Sequence, residues 1–199
     1  MLRFEAPSFA RGLAELRGFL ENDPSRIDMY GQRPFGVLIY RPAEEFLLAE
    51  ALKKMQAELQ QQDRVVKLVS FADLAEEVVR ESLHQQGATW SDLYELEAES
   101  GTDALGQGIV DMLDENRALA SRVVQAADGL RPERDALILI RAGYLYPHYR
   151  VNPLLEALGN FKEMRVATIL CYPGVREGET GLSFMGEQEV LRGYRQRLF

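Results

Sequence analysis

The sequence predicts an α/β domain: a mostly parallel sheet of about four to five strands flanked by helices, with a helical insertion. Three observations carry this. Phe35–Tyr40 (FGVLIY), Val65–Ser70 (VVKLVS), Ala136–Ile140 (ALILI) and Val166–Cys171 (VATILC) are short, nearly continuous apolar runs, as strands buried on both faces are. Stretches with helical spacing lie between them, and alternating strand and helix is the economical signature of a parallel sheet with crossover helices. At 199 residues and 46% hydrophobic, the chain suffices for one domain, residues 1–199, with its own core.

The elements follow in order. Pro7 to Leu20 reads as a helix ahead of the first strand. After that strand, Leu48, Leu52, Met55 and Leu59 recur at helical spacing. The second strand runs into Ser70 and Asp73, a capping pair, and a helix with Leu74, Val78 and Leu83 inward. The insertion, about 84–130, holds a short acidic helix near Thr89 to Glu99 and a longer one from Thr102 to Ala127, with Leu105, Ile109, Met112, Leu119 and Val123 as its stripe. The third strand empties into GYLYPHYR, and Asn152-Pro153 then starts a helix with a preferred cap before proline. The fourth strand ends at the loop Cys171-Tyr172-Pro173-Gly174. A hydrophobic piece, Leu182 to Met185, and an Arg/Tyr-rich tail close the chain.

Composition removes whole function classes. The formal charge is −8, from 31 acidic and 23 basic residues, so duplex nucleic acid is repelled by most of the surface and direct nucleic-acid binding is not expected. The last quarter, residues 141–199, departs from this with 8 basic and 6 acidic side chains. One cysteine, Cys171, and two histidines supply neither a disulfide framework nor a cysteine- or histidine-rich metal centre. The N-terminus interleaves Glu5 and Glu15 with arginines and has no continuous apolar run, which predicts a cytoplasmic protein without a signal or membrane span.

Catalytic motifs fail one by one. The turn after the first strand, YRPAEEF, has no glycine, and Glu44 and Glu45 stand where a phosphate would sit. The third strand ends in Arg141, where a hydrolase of this layout needs an acid to hold magnesium. Cys171 and His148 both lie near strand ends and form a conceivable thiolate–imidazole pair, but a cysteine closing an apolar strand is usually a small core residue. No cofactor or metal is expected. Tyr144, Tyr146, His148, Tyr149, Arg150 and Tyr172 remain, gathered by two loops at one sheet edge. Tyrosine and arginine are typical interface anchors; tyrosines that merely cap the core look the same in sequence.

The segments RAGYLYPHYRVNPLLEAL, CYPG, LSFMG and GYRQRLF resemble the BrxB family of BREX phage-defence systems. The matching positions are Arg141, Gly143, Tyr146, Pro147, Arg150, Leu154, Leu155, Glu156, Tyr172, Pro173, Gly174, Leu182 and Gly186, with Tyr194 and Arg195 in the tail. Residues 175–180 depart from the family pattern. The resemblance implies a P-loop-NTPase-like sheet without nucleotide-binding motifs. It also implies a non-catalytic assembly component of an anti-phage complex, with PglZ, an alkaline-phosphatase-like protein, as first partner and other BREX components as further ones. Tyr144, Tyr146, His148, Tyr149, Arg150 and Tyr172 are then the candidate partner-binding residues, with the acidic insertion as a second surface. The alternative is a nucleotide or phosphate ligand held by Arg41, Arg141 and Arg150 at the strand ends. A further possibility is DNA contact within an assembled complex through Arg192, Arg195 and Arg197.

Overall fold

Period-two alternation along each apolar run sorts its side chains onto two sheet faces, and the computed structural model shows both faces covered. It describes residues 6–27, 35–149, 158, 164–177, 181–185 and 197–199. The parallel strands are β1 (Phe35–Tyr40), β2 (Val66–Ser70), β3 (Ala136–Ile140), β4 (Ala167–Glu177) and β6 (Arg197–Leu198), in the spatial order β2-β3-β4-β1-β6. β5 (Gly181–Phe184) pairs antiparallel with the far end of β4.

One face is built from Leu38 and Tyr40 of β1, Ala136 and Ile138 of β3, and Ala167, Ile169 and Cys171 of β4. It is covered by α1 (Ala10–Asn22), through Leu16 and Leu20, and by α2 (Glu45–Gln60), through Leu48, Leu52, Met55 and Leu59. The other face presents Val37, Leu137, Leu139, Leu170 and Tyr172. There α3 (Phe71–Gln86), α4 (Trp90–Ser100), α5 (Thr102–Asp114) and α6 (Ala118–Ala126) share a core that includes Val78, Leu93, Leu113 and Val123. Each such side chain contributes roughly 1.5–3 kcal/mol by leaving water, before chain entropy is set against it.

Polar locks fix where elements start. Ser70 accepts the Asp73 N–H at 3.3 Å at the head of α3, and Gly87 ends that helix in the left-handed region. Thr89 and Asp92 form a reciprocal capping box that starts α4. Asp135, 2% exposed, ties together the entrances of β2 and β3: it accepts from the Val65 N–H and the Arg131 N–H, each at 2.8 Å, and from the Arg131 guanidinium at 2.9 Å.

Two sequence expectations need correction. The helix expected over Thr102–Ala127 is two helices, because Asn116 and Arg117 adopt φ of 51° and 57° between α5 and α6; asparagine tolerates that region better than most residues, and the break folds α6 back against α3. The Cys171-Tyr172-Pro173-Gly174 loop is strand, since β4 runs on to Glu177 with β5 as its hydrogen-bonding partner. The tail supplies β6, which pairs with Gly36 and Val37. The helix expected after Asn152 and the residues Tyr194 and Arg195 lie outside the described residues.

Candidate functional site

The site begins where β3 stops. Arg141 takes a left-handed φ of 61°, and residues Ala142–Leu145 wind into a single 3₁₀ turn, with Tyr144 N–H donating to the Arg141 carbonyl and Tyr146 N–H to that of Gly143, both at 3.1 Å. The Tyr146–Pro147 peptide is cis. Gly143 faces Met185 Sδ, which a Cβ would meet at 3.2 Å, so the turn seats closely on the β4–β5 hairpin. The Tyr146 ring then stands 6.2 Å from that of Phe184, which in turn meets Tyr172 edge-on at 5.2 Å.

Opposite this turn lie α3 and the insertion helices α4 and α5, and between them and the turn is a cleft of about 200 Å³. α3 contributes Glu76 and Val79, α4 contributes Trp90, and α5 contributes Ile109, Val110 and Leu113; the turn closes it with Tyr144, Tyr146, His148 and Tyr149. The floor is apolar and the mouth is aromatic, with Trp90 39% and Tyr144 60% exposed. His148 lies so close over α5 that a Cβ on Gly106 would come within 2.4 Å of its Nδ1. A glycine at that point of α5 is what lets the imidazole approach.

Tyr149 is only 4% exposed. Burial first, and then the charge of the Asp114 carboxylate, which accepts a hydrogen bond from its hydroxyl, push its phenol well above the ordinary tyrosine range. A neutral, donating Tyr149 thus pins the turn to the end of α5. Tyr149→Phe is expected to cost about 1 kcal/mol in urea unfolding, with the cleft residues otherwise in place.

Of the six aromatic and basic candidates, four converge on this cleft: Tyr144, Tyr146, His148 and Tyr149. Tyr172 does not, which corrects the reading of it as a surface anchor. It is fully buried, because alternation along β4 points it inward with Leu170. Tyr149 is likewise a buried support of the cleft rather than an exposed contact. Arg150 lies outside the described residues. The other half of the cleft, Trp90, Glu76, Ile109 and Val110, was not singled out from the sequence, where α5 reads simply as a core stripe.

Of the strand-end arginines, Arg41 and Arg141 lie among the described residues, at the ends of β1 and β3. β4 runs between β1 and β3, which sets the backbones of Arg41 and Arg141 two strand spacings, roughly 10 Å, apart. Each also has an acid beside it. Arg41 lies near Glu44; Arg141 has Asp73 at 3.9 Å and the Tyr144 ring 5.8 Å from its guanidinium carbon. At the turn after β1, Glu44 accepts from Ser8 N–H at 3.1 Å, and Glu45 accepts from the Tyr40 hydroxyl.

Cys171 and His148 are on opposite sides of the sheet. Cys171 packs with the α1–α2 face, where burial, aided by the Glu45 carboxylate, raises its thiol pKa far above the ordinary value. His148 sits over α5. Among the described residues no three His, Cys, Asp or Glu side chains cluster as a metal site would require. No described helix is long and apolar enough to cross a membrane.

Comparison with known proteins identifies a family. The family model described as BREX protein BrxB matches residues 69–198, which run from the last two residues of β2 through α3, the whole helical insertion, the aromatic turn and the β4–β5 hairpin. No curated protein and no solved structure matches the chain.

Proposed function

We propose, from the premise that the chain belongs to the BrxB family, that it works as a non-catalytic assembly component that binds PglZ through the aromatic cleft. Family membership makes it a component of a BREX anti-phage defence system; the partner and the surface are our reading. The observation that carries it is the cleft itself. It combines an apolar floor with the half-exposed rings of Trp90 and Tyr144 at its mouth, and aromatic side chains over a desolvated pocket are what interface anchors are made of.

The sheet is read as P-loop-like in descent with its nucleotide motifs gone. Supporting that reading, the turn after β1 offers carboxylates in structural use instead of a glycine-lined row of N–H donors. Co-purification tests the function. Tagged chain is expected to retain PglZ at micromolar concentration in moderate salt; a chain that retains other BREX components but no PglZ would show the named partner to be wrong.

A further inference from the structure

We infer that the occupant of the aromatic cleft is a basic peptide segment of a protein partner, which inserts one bulky apolar side chain and lays flanking lysines or arginines on the surrounding helices. This rests on the reading of the cleft as a protein-binding site and specifies the chemistry of what binds there.

Size is the first reason. A volume of about 200 Å³ falls below the roughly 300–1,000 Å³ of sites that enclose a whole small ligand. It suits a single side chain. The walls decide which kind: Val79, Ile109, Val110 and Leu113 offer no hydrogen-bonding groups, so an apolar anchor is favoured over a polar one. Exposed aromatic surface continues beyond the mouth along α4, where Tyr94 is 66% exposed, and gives the flanks of a peptide something to lie on.

Charge is the second reason, and it is independent of the first. Residues 71–126, the helical layer that holds the cleft, carry 12 acidic and 3 basic side chains, net −9; the rest of the chain holds 19 and 20, net +1. The −8 of the whole chain is therefore the charge of this one layer. Two of its three arginines are already paired within it, Arg80 with Glu76 and Arg122 with Glu81. Among the described residues no lysine or arginine lines the cleft; Arg141, beside the Tyr144 ring, has Asp73 at 3.9 Å. A negative field over a low-dielectric apolar pocket draws in cations and repels nucleic acid, anionic membrane and acidic peptides.

The chain's single tryptophan is Trp90, so its emission reports occupancy of the cleft directly. The probe is a Trp-free helical peptide with a central Leu-Phe pair flanked by lysines, titrated into the full chain. Binding is expected to shift Trp90 emission to shorter wavelength and shield it from acrylamide. Replacing the peptide's lysines by glutamate, or its Leu-Phe pair by serines, should each weaken binding about tenfold or more. In the protein, Glu76→Lys with Asp103→Lys alters exposed positions on the cleft side of α3 and α5 and leaves the core untouched; it should weaken the lysine peptide and favour the glutamate one. Equal binding of the lysine and glutamate peptides, or titrations unchanged by the double substitution, would overturn the inference. Retention of PglZ is read in parallel on the wild-type chain. Retention without peptide binding sinks the basic-anchor inference and leaves the assembly reading standing; peptide binding without retention does the reverse.

Discussion

Asp135→Ala should destabilise the fold by about 3 kcal/mol, because one buried carboxylate joins the entrances of two adjacent strands. It accepts the Val65 and Arg131 N–H groups and two guanidinium N–H groups, and truncation leaves part-buried donors without acceptors at about 1–3 kcal/mol each. Burial pushes the carboxyl pKa up, but the Arg131 hydrogen bonds, followed by the two backbone N–H groups, outweigh it and hold the group at about 2 against an ordinary 3.8. A depressed carboxylate contributes stability that is complete above its unfolded pKa and is lost as pH falls through its folded one. Between pH near 4 and pH near 2 the wild-type chain should thus lose on the order of 2 kcal/mol from this group. Urea unfolding across that range checks both statements: Asp135→Asn should flatten the pH dependence, and an unchanged slope would assign the acid lability to other carboxylates.

Gly174→Val is the second large effect, again about 3 kcal/mol, and it reaches the cleft. A Cβ at Gly174 would lie 2.2 Å from the Ser183 carbonyl oxygen and 2.7 Å from the Tyr172 ring. The oxygen belongs to the backbone of the paired strand, so relief requires β5 to move off β4. That exposes Leu182 and Phe184, now 0% and 2% accessible, at roughly 1.5–3 kcal/mol for a fully buried side chain. Phe184 also supports the Tyr146 ring. Loss of near-ultraviolet aromatic dichroism together with a lowered urea midpoint is the expected result; full stability would mean that the hairpin shifts register at little cost.

The strands were legible because apolar runs of five or six residues have few other uses in a chain of this charge, and the start of α3 because Ser70 and Asp73 carry capping chemistry that acts locally. The tyrosine-bearing half of the cleft was legible for a similar reason: one short turn holds its residues together in sequence. Its other half was not, since Trp90 and Val110 reach it only through the docking of α4 and α5 on α3, which is tertiary. The extension of β4 through Pro173 and Gly174 was hidden by residues that usually mark a turn. It depends on β5 arriving as a partner, and Gly174 is required there for close approach rather than for a bend. The inward direction of Tyr172 follows from strand register, which became visible only once that segment was strand.

The residues that carry the family resemblance acquire physical roles in the same way. Gly143 and Gly174 permit backbone approaches to Met185 and Ser183, Tyr146 and Tyr172 flank Phe184, and Leu182 fills the core beneath them. Together they build the platform under the cleft.

The most direct test of the cleft as the PglZ-binding surface is a calorimetric titration of PglZ into the wild-type chain and into Trp90→Ala/Tyr144→Ala, both confirmed as folded. These two rings are exposed enough to be removed without opening the core. The account predicts saturable binding to the wild type and a loss of about 2 kcal/mol or more, roughly thirtyfold in Kd, for the double variant. Equal affinities for the two chains would contradict it.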